Sequence, residues 1–160
     1  MSFVADESIQ QEALAECIKL SDYVLETFQC RLDWTDMSIE KVEELLGLLH
    51  REAQKDGPTD AQVFAFAKGF GSYIGEVYRR NHGAQWGIVT LGGQDFPGLS
   101  ATGSGVEFWP WGRAQQRIVD GPSNNVWHYY QTLLAKRALV PTTERNCRPV
   151  SWWRRMFRRP

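Results

Sequence analysis

The strongest constraint on the fold is a segment in which small residues recur among large apolar ones at helical spacing. The small residues are Ala61, Ala65, Ala67, Gly69, Gly71, Ser72 and Gly75. A glycine inside a helix costs about 1 kcal/mol relative to alanine. Three of them therefore require compensation, and close approach of a neighbouring backbone is the usual source. We predict a central, buried helix that begins at Thr59 or Asp60. It is expected to end at Arg80 or Asn81, next to a stop signal at Gly83.

Two amphipathic patterns precede this segment. Apolar residues spaced by three and four positions predict one helix from Glu7 to about Cys30. A second helix is predicted to run to about Gln54, and Asp36 or Ser38 is expected to accept hydrogen bonds from the amides of its first turn. A turn signal follows, so the amino-terminal third of the chain is expected to be helical.

After residue 83 the apolar pattern changes from a period of 3.6 towards a period of two, which is typical of strands. In chain order we predict a strand at 85–91, a turn at 92–95, a loop or broken second strand at 96–104, a strand at 105–109, a short helix at 111–119, and a final helix capped by Ser123 or Asn124 that ends near Leu139. Strands gathered in the middle, without regular alternation with helices, indicate a predominantly helical α+β fold with a small antiparallel sheet.

Composition and length indicate a single domain. The chain has 160 residues, of which 42 % are hydrophobic and 12 % aromatic, enough for one core. We predict a domain over residues 1–140 and a basic, aromatic tail over residues 141–160. No apolar run approaches the roughly 18–20 residues that cross a bilayer. The acidic amino terminus lacks the order of a secretory signal, so we expect a cytoplasmic location.

The cysteines and histidines do not form a ligand pattern. Cys17, Cys30 and Cys147 are widely scattered and odd in number, which argues against a disulfide framework or a zinc site. His50 and His128 have no companion ligand three or four residues away. We therefore expect no metal and no cofactor.

Charge is distributed unevenly along the chain. Residues 1–60 carry fourteen Asp and Glu against five Lys and Arg, whereas residues 136–160 carry eight Lys and Arg against one Glu. Such a split between the ends predicts either that they complement each other in the fold or that they contact different kinds of partner.

The segment Gly71–Val77 reads G-x-Y-x-G-E-V, and Gly83–Trp86 reads G-x-x-W. This motif resembles a group of small bacterial domains of unknown function, in which a helix ends in the second element and opens onto a strand. The resemblance covers about residues 36–135. Several of these domains resemble immunity-type proteins of bacterial competition systems. The motif is specific for the fold and says little about chemistry, so the resemblance brings no catalytic residues.

One candidate site lies within this motif and comprises Tyr73, Glu76, Arg79, His82 and Trp86. Helical spacing places Tyr73, Glu76 and Arg79 on neighbouring faces. Glu76 and His82 could act as an acid/base pair, because a buried glutamate can titrate close to a histidine. The alternative, which we favour, is that Glu76 is a buried hydrogen-bonding hub that anchors the helix to the loop before Trp86.

A second candidate is the acidic face of the first two helices, formed by Asp33, Asp36, Glu40, Glu43 and Glu44. A solvated face explains most of these charges. A face of this kind can also attract a basic partner, such as a toxin that acts on nucleic acid, and speed its association.

The third candidate is the tail, in which Trp152, Trp153 and Phe157 alternate with Arg154 and Arg155. Membrane surfaces, acidic protein grooves and nucleic acid each take aromatic and arginine side chains. The tail could equally fold back onto the acidic helices of its own domain. Of the external partners, a protein is favoured over a membrane, and nucleic acid is not expected.

The sequence thus predicts a non-catalytic cytoplasmic protein that binds a protein partner, with a toxin-neutralising immunity protein as the specific hypothesis. Two alternatives stay open. One is an enzyme or small-ligand binder centred on Tyr73, Glu76 and His82. The other is a peripheral membrane adaptor that uses the tail.

Overall fold

Three helices lie between the first two strands of the chain. The computed structural model describes residues 1–138, and its elements are β1 (Ser2–Ala5), α1 (Glu7–Phe28), α2 (Ser38–Asp56), α3 (Asp60–His82), β2 (Ala84–Leu91), β3 (Gln94–Ala101), β4 (Glu107–Phe108), α4 (Pro110–Asp120) and α5 (Val126–Ala138), with a 3-10 turn at Pro122–Asn124. The strands form one antiparallel sheet in the order β1-β2-β3-β4. The fold is therefore α+β and mostly helical, as the sequence predicted.

Helix α3 is the buried centre of the fold. Every residue from Gly69 to Tyr78 is buried, and α3 packs against both α1 and α4. A Cβ atom at Gly71 would lie 2.6 Å from the backbone of Trp111 at the start of α4. At Gly75 it would lie 2.4 Å from the Trp86 ring. The close approach predicted from the small residues is therefore confirmed at Gly71, where the neighbour is backbone.

The sheet contains a strand that the sequence did not predict. β1 pairs antiparallel with β2, with Phe3 opposite Val89 and Ala5 opposite Gly87. A Cβ atom at Gly87 would lie 2.1 Å from the Val4 carbonyl oxygen, so only glycine lets the two backbones come this close. β1 is four residues long and mostly exposed. Its sequence consequently shows no apolar alternation, and its pairing to β2 defines it.

The loop or broken strand expected at 96–104 is, as far as Ala101, a continuous strand, β3, which begins at Gln94. Gly92 and Gly93 both have positive φ angles and connect it to β2 as a two-residue hairpin. Pro97 is accommodated because β4 pairs only with Leu99 and Ser100, so β3 has a single neighbour at the proline.

The helix ends also differ from the predictions. α1 ends at Phe28, where Gln29 adopts a left-handed conformation. The residue before α2 is Met37, which makes no side-chain cap. The predicted caps are engaged differently, since Asp36 binds His82 and Tyr130 and Ser38 donates to the Thr35 carbonyl. Asn125, rather than Ser123 or Asn124, accepts a hydrogen bond from the first turn of α5, at 2.8 Å from the His128 amide.

Candidate functional site

Glu76 is the centre of a buried ion pair. Its side chain is fully buried, and it accepts hydrogen bonds from Arg79 Nε at 2.8 Å and Arg79 Nη2 at 3.0 Å. The Trp86 indole donates to Glu76 Oε1 at 2.8 Å, and Arg80 Nε lies 3.4 Å from Oε2. The hydrogen bond to Glu76 raises the pKa of Arg79. The hub predicted for Glu76 is present, and it ties α3 to the start of β2.

Tyr73 lies about one turn before Glu76 on α3 and holds the loop between α1 and α2. Its hydroxyl lies 2.7 Å from Ser38 Oγ and accepts a hydrogen bond from the Trp34 amide at 3.0 Å. Burial raises the pKa of Tyr73. The phenol therefore serves as a neutral anchor for the loop, whose other contacts involve Asn81 and Arg80.

His82 belongs to a third set of contacts, centred on Asp36. His82 Nε2 lies 2.9 Å and 3.0 Å from the two carboxylate oxygens of Asp36. Tyr130 donates its hydroxyl to Asp36 at 2.5 Å, and Asn81 lies at 3.4 Å. Burial by itself raises the pKa of Asp36, but the hydrogen bonds from His82, Tyr130 and Asn81 outweigh it and lower the pKa. This Asp36 cluster joins α3, α5 and the loop before α2.

The structure does not bring Glu76 and His82 together as an acid/base pair. Glu76 faces Arg79 and Trp86, whereas His82 faces Asp36, with Arg137 Nη1 3.3 Å from its other ring nitrogen. Their separation follows from helical geometry, because six residues place two side chains more than one turn apart and on different faces. The two groups therefore share no site at which a proton could pass between them.

The predicted acidic face divides into partly buried and exposed carboxylates. Glu43 accepts hydrogen bonds from Arg117 Nε at 2.7 Å and from the Val126 amide at 2.8 Å, so it caps α5 and neutralises a buried arginine. Asp36 is bound as described above. Exposed acidic side chains remain at Asp33, Glu40 and Glu44.

Several residues of these clusters were missed from the sequence. Tyr130 and Asn81 complete the Asp36 cluster, and Arg117 is the partner of Glu43. Arg117 lies 74 positions after Glu43 and Tyr130 lies 94 positions after Asp36, so no local spacing could have joined them. The apolar stripe of α4, on which Arg117 lies, gave no sign that one of its buried members would be charged.

Within residues 1–138, no group of three or more His, Cys, Asp or Glu side chains is placed to hold a metal ion. Of the helices described, none is both long and apolar enough to cross a membrane. Burial raises the pKa of the Cys17 thiol to about 11. The tail candidates Trp152, Trp153, Arg154, Arg155 and Phe157 lie outside the described residues.

Comparison with known proteins provides no family. No protein-family model, no curated protein and no solved structure matches this chain. The resemblance to small bacterial domains therefore stays a prediction, and function has to be argued from the geometry of the chain itself.

Proposed function

We propose that the protein acts without catalysis, by binding a basic protein partner, and that it neutralises a toxin as an immunity protein does. The observation that carries the proposal is an exposed acidic surface presented on an immobilised loop and its adjoining helix. We call this the α2 acidic surface. It consists of Asp33 on the loop before α2 together with Glu40 and Glu44, which lie one turn apart on α2.

The loop that carries Asp33 is held by contacts on every side of its neighbour Trp34. The Trp34 amide donates to the Tyr73 hydroxyl, and its carbonyl accepts from Asn81 Nδ2 at 3.0 Å. Its ring lies 4.7 Å from the Tyr73 ring centroid and 4.0 Å from the Arg80 guanidinium. Trp34 has a φ angle of 63°, which a bulky residue adopts only where its surroundings enforce it.

A fixed acidic surface favours binding in two ways. Little conformational entropy is lost on association when the contact residues are already held in place. The negative potential also accelerates encounter with a positively charged partner. Glu44 pairs with Lys41, but both side chains are well exposed, and an exposed pair of this kind is readily exchanged for a partner's cation.

The test is capture of a stoichiometric partner from a lysate of the organism that encodes the protein. The wild type is compared with Glu40→Lys/Glu44→Lys and with the matched control Asp22→Lys/Glu26→Lys. The control pair is also exposed, lies on α1 and has the same four-residue spacing. We expect the α2 variant to lower partner affinity by about tenfold or more, and the control to retain it.

Two outcomes would contradict the proposal. One is that the wild type captures no partner. The other is that the two double variants lose the partner equally, since net charge would then explain the effect and the α2 acidic surface would have no special role. Removing residues 151–160 in a parallel experiment measures whether the tail adds to the contact.

A further inference from the structure

An apolar groove lies where α2, α3 and α4 meet. Only three residues, 57–59, connect α2 to α3, yet each helix packs against α4. Ile118, in the last turn of α4, therefore lies between the end of α2 and the start of α3. The groove has a volume of about 390 Å³, and its apolar lining includes Leu49, Ala53, Val63, Phe66 and Ile118.

The rim of this groove is acidic. Glu52 and Asp56 line it and are spaced four residues apart at the end of α2. Glu52 pairs with Lys55 at 3.3 Å, but both side chains are exposed, so the pair contributes little to stability. Asp56 makes no ion pair with any other residue of the described part of the chain. An apolar floor with a carboxylate rim suits a ligand that carries both large apolar and cationic side chains.

We propose that this groove binds the carboxy-terminal tail of the same chain, with Trp152 or Trp153 on the apolar lining and Arg154 and Arg155 at the rim. The tail has the complementary composition. Residues 151–160 contain two tryptophans, one phenylalanine and four arginines, and no acidic residue. The groove volume accommodates one large aromatic side chain together with part of its neighbours.

The tail is long enough to reach the groove. Arg137, near the end of α5, contacts His82 at the end of α3. Phe66 lies sixteen residues earlier in α3, which corresponds to about 24 Å at 1.5 Å per residue. Thirteen residues separate Ala138 from Trp152, and a chain of that length spans up to about 43 Å. The connection therefore exceeds this length of α3 by almost a factor of two.

Covalent attachment favours this occupant over a separate molecule. A tethered segment is present near its site at an effective concentration of the order of 1 mM. Even an intrinsic dissociation constant of about 0.1 mM then leaves the groove roughly nine-tenths occupied. A free partner at about 1 μM would need an affinity about a thousandfold higher to reach the same occupancy. This role for the tail is independent of the proposed function and differs from direct contact with a toxin.

The test is hydrogen–deuterium exchange on the full-length chain. Wild type is compared with Trp152→Ala/Trp153→Ala, with Thr142→Ala/Thr143→Ala as a control in the same tail. We expect the alanine replacement of the tryptophans to raise amide exchange about tenfold in residues 49–66 and to leave β2 and β3 unchanged. Equal exchange in the two proteins would overturn the proposal, and so would a protection that depends on protein concentration, which would place the tail in a second copy.

A charge exchange tests the rim separately. Glu52→Lys/Asp56→Lys is expected to raise exchange in residues 49–66 as far as the tryptophan variant does. Adding Arg154→Glu/Arg155→Glu is expected to restore protection, an outcome that a purely local effect on α2 would not give. Glu40→Lys/Glu44→Lys, on the same helix with the same spacing, should leave the groove protected. Failure of the rescue would overturn the assignment of the arginines to the rim. Glu40→Lys/Glu44→Lys is also the variant that should lose the toxin. The failure of one proposal can therefore be recognised independently of the other.

Discussion

The two halves of α3 have opposite surroundings. From Gly69 to Tyr78 every residue is buried, whereas between Asp60 and Phe66 only Val63 is buried and Phe64 is 44 % exposed. The half that carries the G-x-Y-x-G-E-V segment is therefore the half that holds the molecule together. The half without a recognisable motif borders the groove. In this protein, the most distinctive residues of the sequence stabilise the fold, and surfaces free to bind a partner lie elsewhere.

The largest effect is expected from replacing a glycine in the buried half of α3. At Gly71 a Cβ atom would lie 2.6 Å from the Trp111 backbone, which cannot move without shifting α4. We expect Gly71→Ala to lower the free energy of unfolding by about 3 kcal/mol. Gly69→Ala is the matched control, since the nearest atoms to its Cβ belong to the Leu20 side chain and begin at 3.4 Å, an ordinary contact distance. It should leave stability unchanged or raise it by up to about 1 kcal/mol.

Urea denaturation followed by circular dichroism measures both variants. Equal losses at the two positions would show that the effect comes from introducing a side chain into α3 generally, and that the close approach of α4 to Gly71 is not responsible.

Replacing Asp36 tests whether the polar contacts at the carboxy-terminal end of α3 also stabilise the fold. Its folded-state pKa is lowered from the ordinary value of 3.8, so its contribution is complete above that value and is lost as the pH falls through the lower folded-state pKa. We expect Asp36→Asn to lower the free energy of unfolding by about 2 kcal/mol at pH 7, because charged hydrogen bonds from His82 and Tyr130 are lost.

The pH dependence of stability tests the direction of this effect. The difference between wild type and Asp36→Asn should shrink as the pH is lowered below about 4, because the carboxylate of the unfolded chain binds a proton there before that of the folded protein does. Asp33→Asn, in the same loop but exposed, serves as the control and should change stability by less than about 0.5 kcal/mol. A difference that grows on acidification would show that the Asp36 carboxylate is unfavourably placed in the folded protein.

Much of the fold could be predicted because its determinants are local. Helical spacing defines α1, α2 and α3, and the glycines at Gly69, Gly71 and Gly75 indicate which helix is central. β1 could not be predicted, because four mostly exposed residues become a strand only by pairing with β2. The fold class therefore follows from local patterns, while the edge of the sheet depends on a contact between distant segments.

In the candidate sites, too, contacts between residues close in sequence were predictable and contacts between distant residues were not. The Glu76 hub is predictable because Arg79 and Trp86 are close to Glu76 in sequence. Asp36 was interpreted as a helix cap, since its partner Tyr130 lies 94 positions away. The groove leaves no sequence signal at all, because it arises from the position at which α4 ends between two other helices.

The exposed half of α3 is stabilised by its amino-terminal cap more than by burial. Replacing Thr59 tests this and is expected to have the smallest effect on stability. Thr59 Oγ1 accepts from the Gln62 amide at 3.2 Å, and Gln62 Oε1 accepts from the Thr59 amide at 2.9 Å. We expect Thr59→Ala to lower the free energy of unfolding by about 1 kcal/mol and Thr59→Ser to preserve it to within a few tenths. In both the wild type and Thr59→Ala, amide exchange should be faster in residues 60–66 than in 69–78, because the exposed half opens without the core. Equal exchange free energies along the whole helix would show that the two halves unfold as one unit, and the groove could then not open without the core.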